Sequence, residues 1–264
     1  MERDVLTDAQ WAQMEAHCLG QMEAHCLGQM EAHCLGKPGD PGRNGENNRR
    51  FVEAVLWVVR TGSPWRDIPE RFGKWDSIYS RFRDWVRADV WTRLFEAVSD
   101  EPDMEYAMVD ATIVKVHRHG QGAKGGLQAI GRSKGGMTTK VLALTDALGN
   151  LVRFVLLPGQ RHDTVGLPPL IDGVSFEALI ADKAFDSNAI VAGLDQRGAK
   201  VVISQHPCRT KPRDIDTEMY KWRHLIENYF CKLKEFKRIA MRADKTDQSF
   251  AAMIHLAATV IASR

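Results

Sequence analysis

An ionised carboxylate inside an apolar strand is costly unless a cation faces it. This chain offers that situation twice and then adds a third acid on a helix. Asp110 lies in Glu105-Tyr-Ala-Met-Val-Asp-Ala-Thr-Ile-Val-Lys-Val116, whose β-branched and aromatic residues read as a buried strand. Asp182 closes a second short apolar run, Phe176-Glu-Ala-Leu-Ile-Ala-Asp182, at the end of a strand where α/β sheets hold their ligands. Either aspartate alone would read as a turn or capping residue. Strand, strand and helix acids in that order restrict the chain to folds that bring them together.

The third acid, Glu227, belongs to a pattern with Tyr220, Arg223 and Lys234. A uniform α-helix turns about 100° per residue, so these side chains would span an arc of roughly 60° over about 21 Å. Asp216 or Thr217 can cap the helix, and Glu218 sits in its first turn. Trp222, Leu225, Ile226, Tyr229, Phe230 and Leu233 provide an apolar face. Charged helix faces are usually solvated ion pairs, so the pattern gains its meaning from the two upstream aspartates.

The Tyr-x2-Arg-x3-Glu-x6-Lys spacing, preceded by Val109-Asp110 and Ala181-Asp182-Lys183, resembles the DDE transposases of bacterial insertion sequences. Similar segments are Gly131-Arg-Ser-Lys-Gly-Gly-Met-Thr-Thr-Lys140, Leu144-Thr-Asp-Ala-Leu-Gly-Asn150 and Gly159-Gln-Arg-His-Asp163. Leu6-Thr-Asp-Ala-Gln-Trp11 and Trp65-Arg-Asp-Ile-Pro69 extend the likeness over nearly all of the chain except residues 13–36. The resemblance implies an α/β, RNase H-like mixed sheet flanked by helices, with Asp110, Asp182 and Glu227 as catalytic, metal-holding residues. It also implies two Mg²⁺ ions, replaceable by Mn²⁺, and assigns Tyr220, Arg223 and Lys234 to DNA. The implied substrates are double-stranded terminal inverted repeats and target DNA, acted on by a homo-oligomer during synapsis. His162 and Asp163 fall near the site in this reading, although a cap-and-turn pair explains them better. A stand-alone nuclease and a domesticated, non-catalytic DNA-binding protein are the rival readings.

Composition agrees with that class. A chain of 264 residues can bury a large core, and no apolar run is long enough to span a bilayer. No signal peptide is evident, so a cytoplasmic protein with no membrane partner is expected. The five cysteines form no CxxC pair. Net charge is +2, yet residues 1–36 hold only Arg3 against six acids, which leaves +7 on the remainder. Basic residues gather at Lys115, Arg118, Lys124, Arg132, Lys134 and Lys140, and again over 209–245, as a phosphate-binding rim requires.

Two domains are expected, an amino-terminal helical DNA-binding domain over 1–100 and the catalytic domain over 101–264. Phe51–Arg60 and the segment after Asp76 read as amphipathic helices. Ser77, Ser80, Arg81, Arg83 and Arg87 face outward in this reading, so the segment resembles a DNA-reading helix-turn-helix with Arg81 and Arg87 toward DNA, and a helical cap with a solvated face fits these residues equally. Farther on, strands are expected at 105–116, 138–145, 151–157, 178–182 and 199–203, with helices at 163–173 and 187–197. Gly149-Asn150 is the expected hairpin turn.

Gln13-Met-Glu-Ala-His-Cys-Leu-Gly20 recurs unchanged at 21–28 and 29–36. Eight residues overshoot two helical turns by about 80°, so the copies share no apolar stripe, and their His-Cys pairs match no zinc spacing. Perfect identity points to tandem duplication. Deleting residues 21–36 should therefore leave DNA binding, cleavage and thermal stability equal or improved. Stoichiometric zinc that disappears together with activity on deletion would show the copies to be a metal site.

Overall fold

The computed structural model describes residues 7–9, 48–99, 101–123 and 126–262. The octapeptide copies and Lys124 lie outside the described residues. The chain forms two compact units, one of residues 1–100 with 233–264 and one of 101–232. Residues 233–264, expected with the strands, thus group with the amino-terminal helices.

In the first unit, α1 (Asn48–Thr61), α2 (Trp75–Arg87) and α3 (Val90–Val98) surround an aromatic core. Trp91 approaches Phe51, Phe82 and Trp85 with ring centroids 5.2–6.0 Å apart, spacings suited to tilted or edge contacts. Two 3₁₀ turns, Trp65–Asp67 and Glu70–Phe72, occupy the connection between α1 and α2. That connection is far longer than a helix-turn-helix turn. The tight turn lies instead at Ala88-Asp89, where Asp89 adopts φ 54°.

Arg81 does not face outward as the sequence suggested. Its guanidinium lies 4.5 Å from the Phe51 ring and 5.3 Å from Trp85, and donates to Asn48. Burial lowers its pKa, and cation–π attraction to two rings offsets part of the desolvation. Arg87 remains exposed, paired with Asp84 at 2.7 Å.

The carboxyl-terminal part of this unit contains the last helix, α9 (Asp247–Ala262). It is apolar on most sides and is accordingly buried from Ser249 to Val260 except at Ala251 and His255. It packs against α3, where His255 stacks on Phe95 at 5.5 Å and meets Thr92 Oγ1 through Nδ1 at 3.2 Å.

The second unit is a mixed sheet. β1 (Tyr106–Val116) pairs antiparallel with β3 (Gly136–Thr145) and parallel with β5 (Ala178–Ala181), and β5 pairs parallel with β6 (Lys200–Ile203). On the other edge of β3 lie β2 (Gly131–Ser133) and β4 (Leu151–Pro158). Strand order is therefore β4-β3-β1-β5-β6, with β2 extending the β4 side. β2 was not anticipated, because its three residues are too few to show alternation.

Helices α4 (Leu167–Ile171) and α5 (Asn188–Gln196) accompany an apolar face built from Ala107, Val109, Leu142, Leu144, Leu179 and Ala181. The helix expected over 163–173 is shorter and opens with a 3₁₀ turn at Asp163–Val165. Gly149 takes φ +83° in the expected hairpin turn, a conformation open to glycine at little cost.

After β6 the chain runs through α6 (Thr217–Tyr220), a 3₁₀ turn at Lys221–Arg223 and α7 (His224–Lys234). It ends with α8 (Lys237–Ala240), the two-residue strand β7 (Met241–Arg242) and α9. Within the first unit, Arg238 holds Asp244 through two 3.0 Å hydrogen bonds, and both side chains are buried.

His255 makes the first unit acid-sensitive. Burial lowers its pKa to about 4, although Asp89 opposes the shift. The unfolded chain therefore binds a proton that the folded chain refuses, so stability is complete above the unfolded pKa and is lost as pH falls from 6.5 toward 4. The loss should reach at most about 3 kcal/mol. His255→Phe should flatten that segment of the stability–pH curve in denaturant titrations. An unchanged slope between wild type and variant would remove His255 as its source.

Candidate active site

The parallel register of β1 and β5 brings the two aspartates together. Val109 is the partner of Ala181, so the next residues along, Asp110 and Asp182, occupy adjacent positions about 4.8 Å apart. Val109 and Ala181 belong to the apolar face, so alternation turns both carboxylates to the opposite face. Asp182 keeps an extended backbone beyond the strand, and its side chain accepts the Ala184 N–H at 2.9 Å.

Glu227 enters from α7, whose Ile226, Tyr229, Phe230 and Leu233 are buried. Arg223 connects the acids. Its Nη2 donates to Asp110 Oδ2 at 2.8 Å, and its Nη1 donates to Glu227 Oε1. Asp110 also accepts the Ala111 N–H at 2.7 Å. Burial raises the Asp110 pKa. The Ala111 N–H and Arg223 oppose that shift, while Asp182 and Glu227 reinforce it. For Arg223, desolvation lowers the pKa, but Asp110, Glu227 and Tyr220 outweigh it and the net shift is upward.

The helical stripe departs from the uniform helix expected of it. Residues three apart eclipse in a 3₁₀ turn, so Lys221–Arg223 brings Tyr220 over Arg223 instead of about 60° away. Trp222, expected in the core, is 49% exposed for the same reason. Lys234 lies seven residues beyond Glu227 on α7 and is exposed.

The other expected contacts scatter. Arg132 and Lys134 are exposed on and after β2, whose partners Thr138 and Met137 lie five and six residues along β3 from Ala143, the partner of Asp110. That separation is roughly 17–20 Å. Lys140 is buried and salt-bridged to Asp163, and it donates to the Arg161 carbonyl at 2.7 Å. It therefore contributes nothing to a basic rim.

Among the described residues, no three His, Cys, Asp or Glu side chains form a ready-made metal cluster. The donors nevertheless suit a hard divalent cation, since three carboxylates converge electrostatically and Asp110 resists ionisation without more positive charge. Sequence reasoning missed that Arg223 would sit between two of the acids. The i,i+4 spacing of Arg223 and Glu227 was the available signal.

Comparison with known proteins decides the family. A model described as the transposase DDE domain matches residues 101–261, and one described as a putative transposase of the IS4/5 family matches 6–95. The chain belongs to the DDE transposases. A putative transposase for insertion sequence element IS6501 from Brucella ovis is 37% identical over 127 residues, covering 47% of this chain and 98% of the relative. An uncharacterized protein, y4sN, from Sinorhizobium fredii is 33% identical over 138 residues, covering 52% of this chain and 90% of that protein. The 16.2 kDa uncharacterized protein of insertion element IS402 from Burkholderia cepacia is 34% identical over 90 residues, covering 31% and 61% respectively. No solved structure matches the chain.

In this transposase the Arg223 bridge has a measurable cost of removal. Arg223→Ala leaves mostly buried Asp110 with two acidic neighbours and no guanidinium, and should reduce unfolding free energy at pH 7 by about 1–3 kcal/mol. Glu227 is half exposed and adds little. A raised folded-state pKa contributes stability below the unfolded value and loses it as pH rises through the folded one. The deficit of the variant should therefore shrink as pH is lowered to about 4. Equal deficits at both pH values in denaturant unfolding would show that Arg223 does not neutralise these acids.

Proposed function

We propose that this transposase performs Mg²⁺-dependent strand cleavage at insertion-sequence ends and joins the freed ends to target DNA. The carrying observation is the placement of Asp110 beside Asp182 by strand register, with Glu227 tied to Asp110 through Arg223. Asp110, Asp182 and Glu227 would hold the divalent ions, two by the resemblance. When bound, the ions supply Lewis acidity toward phosphate and its attacking oxygen.

In the cleavage step, a water oxygen bonds to phosphorus as the P–O3′ bond breaks, and the proton lost by water leaves the 3′ oxygen as a hydroxyl. In joining, that hydroxyl attacks a target phosphodiester and displaces its 3′ oxygen, so one ester replaces another. One site therefore serves both steps. Asp110 and Asp182 hold fixed positions because the strand backbone holds them, and Glu227 is set by the buried face of α7. Arg223 is suited to bidentate phosphate contact and Lys234 to a single charge contact along the same helix. Tyr220, three residues before Arg223, is placed by the same turn for a contact with DNA.

Double-stranded DNA is the partner in this reading, with subunits assembling on paired ends. No helix among the described residues is long and apolar enough to cross a membrane. The DNA-facing roles of Arg87, Arg132 and Lys134 rest on exposure and charge alone.

Asp110→Asn, Asp182→Asn and Glu227→Gln should each abolish Mg²⁺-dependent nicking and joining of DNA ends while preserving the fold and duplex binding. Mg²⁺ should also raise the thermal midpoint of the wild type more than that of any variant, because the ion binds only the folded site. Cleavage that persists in one variant would remove its residue from the reaction. A wild type that cleaves but never joins would leave a nuclease.

A further inference from the structure

Four residues beyond Asp182, Asp186 ends the 3₁₀ turn Lys183–Phe185, and its side chain is only 1% exposed. The hydrogen bonds of its carboxylate all reach one loop, the segment that leads from β6 to α6. Oδ1 accepts from Arg209 Nη1, and from Arg213 Nη2 at 3.1 Å. Oδ2 accepts the His206 backbone N–H at 2.8 Å. Arg209 also donates to Asn188 Oδ1 at 2.8 Å and to the Lys211 carbonyl at 3.1 Å. Gln205 closes the neck, accepting the Arg213 N–H at 2.8 Å while its amide donates to the Arg213 carbonyl.

A buried carboxylate facing two guanidiniums leaves a surplus of positive charge. Residues 206–213 contain Arg209, Lys211 and Arg213 and no acid. Asp186 and the adjoining Asp214 offset two of those three charges. The side chains of His206, Cys208 and Lys211 are exposed at the tip, and Lys211 has no ion-pair partner among the described residues. Pro207 and Pro212 stiffen the tip at its two ends. The loop leaves the carboxyl end of β6, the sheet edge from which Asp182 also projects, and leads into the helical run bearing Arg223 and Glu227. The loop is basic and tied to the segment that carries Asp182.

We propose that loop His206–Arg213 is a DNA-backbone contact on the β6 side of the acidic centre, with Asp186 as the positioning residue that fixes its distance from Asp182. The proposal rests on the DNA-cleaving reading above and adds a surface which that reading does not use. The contacting groups are Lys211 and His206 at the tip. Arg209 and Arg213 supply the surrounding positive potential.

The test uses the full chain, a blunt duplex of arbitrary sequence, and a salt series in EDTA, so that binding is read without cleavage. Lys211→Ala should weaken binding several-fold and lower the slope of log affinity against log salt by about one. Asp186→Asn should weaken binding in the same direction and speed amide exchange across 206–213, and Asp186→Glu should restore part of both. If Asp186→Asn does not fold, the exposed Lys211 variant decides alone. Wild-type affinity and slope in Lys211→Ala, with cleavage by the wild-type protein intact, would overturn the loop contact and leave the cleavage reading standing. A wild-type protein that neither binds nor cleaves DNA would sink both.

Discussion

The second unit is organised around the problem of keeping Asp110 charged inside a sheet. A carboxylate there is desolvated on the strand, and its acidic neighbours push its pKa upward as well. One backbone N–H and one guanidinium oppose this. The sequence placement of Arg223 follows from that need. It must reach Asp110 from the turn that leads into α7 and still bond Glu227 four residues later. The 3₁₀ turn at Lys221–Arg223 gives it that position and forces Trp222 into solvent. An exposed tryptophan and a broken helix thus accompany the arginine that faces one buried acid.

Much of this unit is legible in the sequence because its signals are local and strong. The run around Asp110 is rich in β-branched and aromatic residues, and glycine at 149 marks a turn that only a positive φ completes cheaply. The acids could be found because charge inside apolar runs is rare. What stayed hidden depends on tertiary contacts. Periodicity put Arg81 outward, yet two aromatic rings and Asn48 hold it against the protein. Lys140 reads as part of a basic rim until the loop carrying Asp163 folds back over β3. Helix periodicity likewise gives no sign of a 3₁₀ interruption of three residues.

The Asp186 loop shows the same limit from another side. Its residues read as one more basic stretch, and nothing local says that Asp186 is their anchor. The link spans more than twenty residues and exists only because β5 and β6 are adjacent, which starts both connections at one sheet edge. Adjacency of parallel strands is the general reason why such sites assemble from distant segments. It also means that the loop is fastened beside the segment that carries Asp182.

Charge balance explains why this centre and its surroundings have opposite signs. Three carboxylates and one guanidinium leave a formal −2 at the sheet face when all are ionised. A phosphodiester brought to that face meets repulsion that a single arginine does not cancel, and Arg223 cannot serve both acids and a phosphate with the same N–H groups. The DNA contact proposed for it and its bridge between Asp110 and Glu227 are therefore alternative uses of one side chain. Added positive charge at the carboxylates relieves both conflicts, since it attracts the phosphate and frees the guanidinium. Divalent cations in such a site are thus demanded by the electrostatics of substrate approach as well as by the chemistry of the cleaved bond.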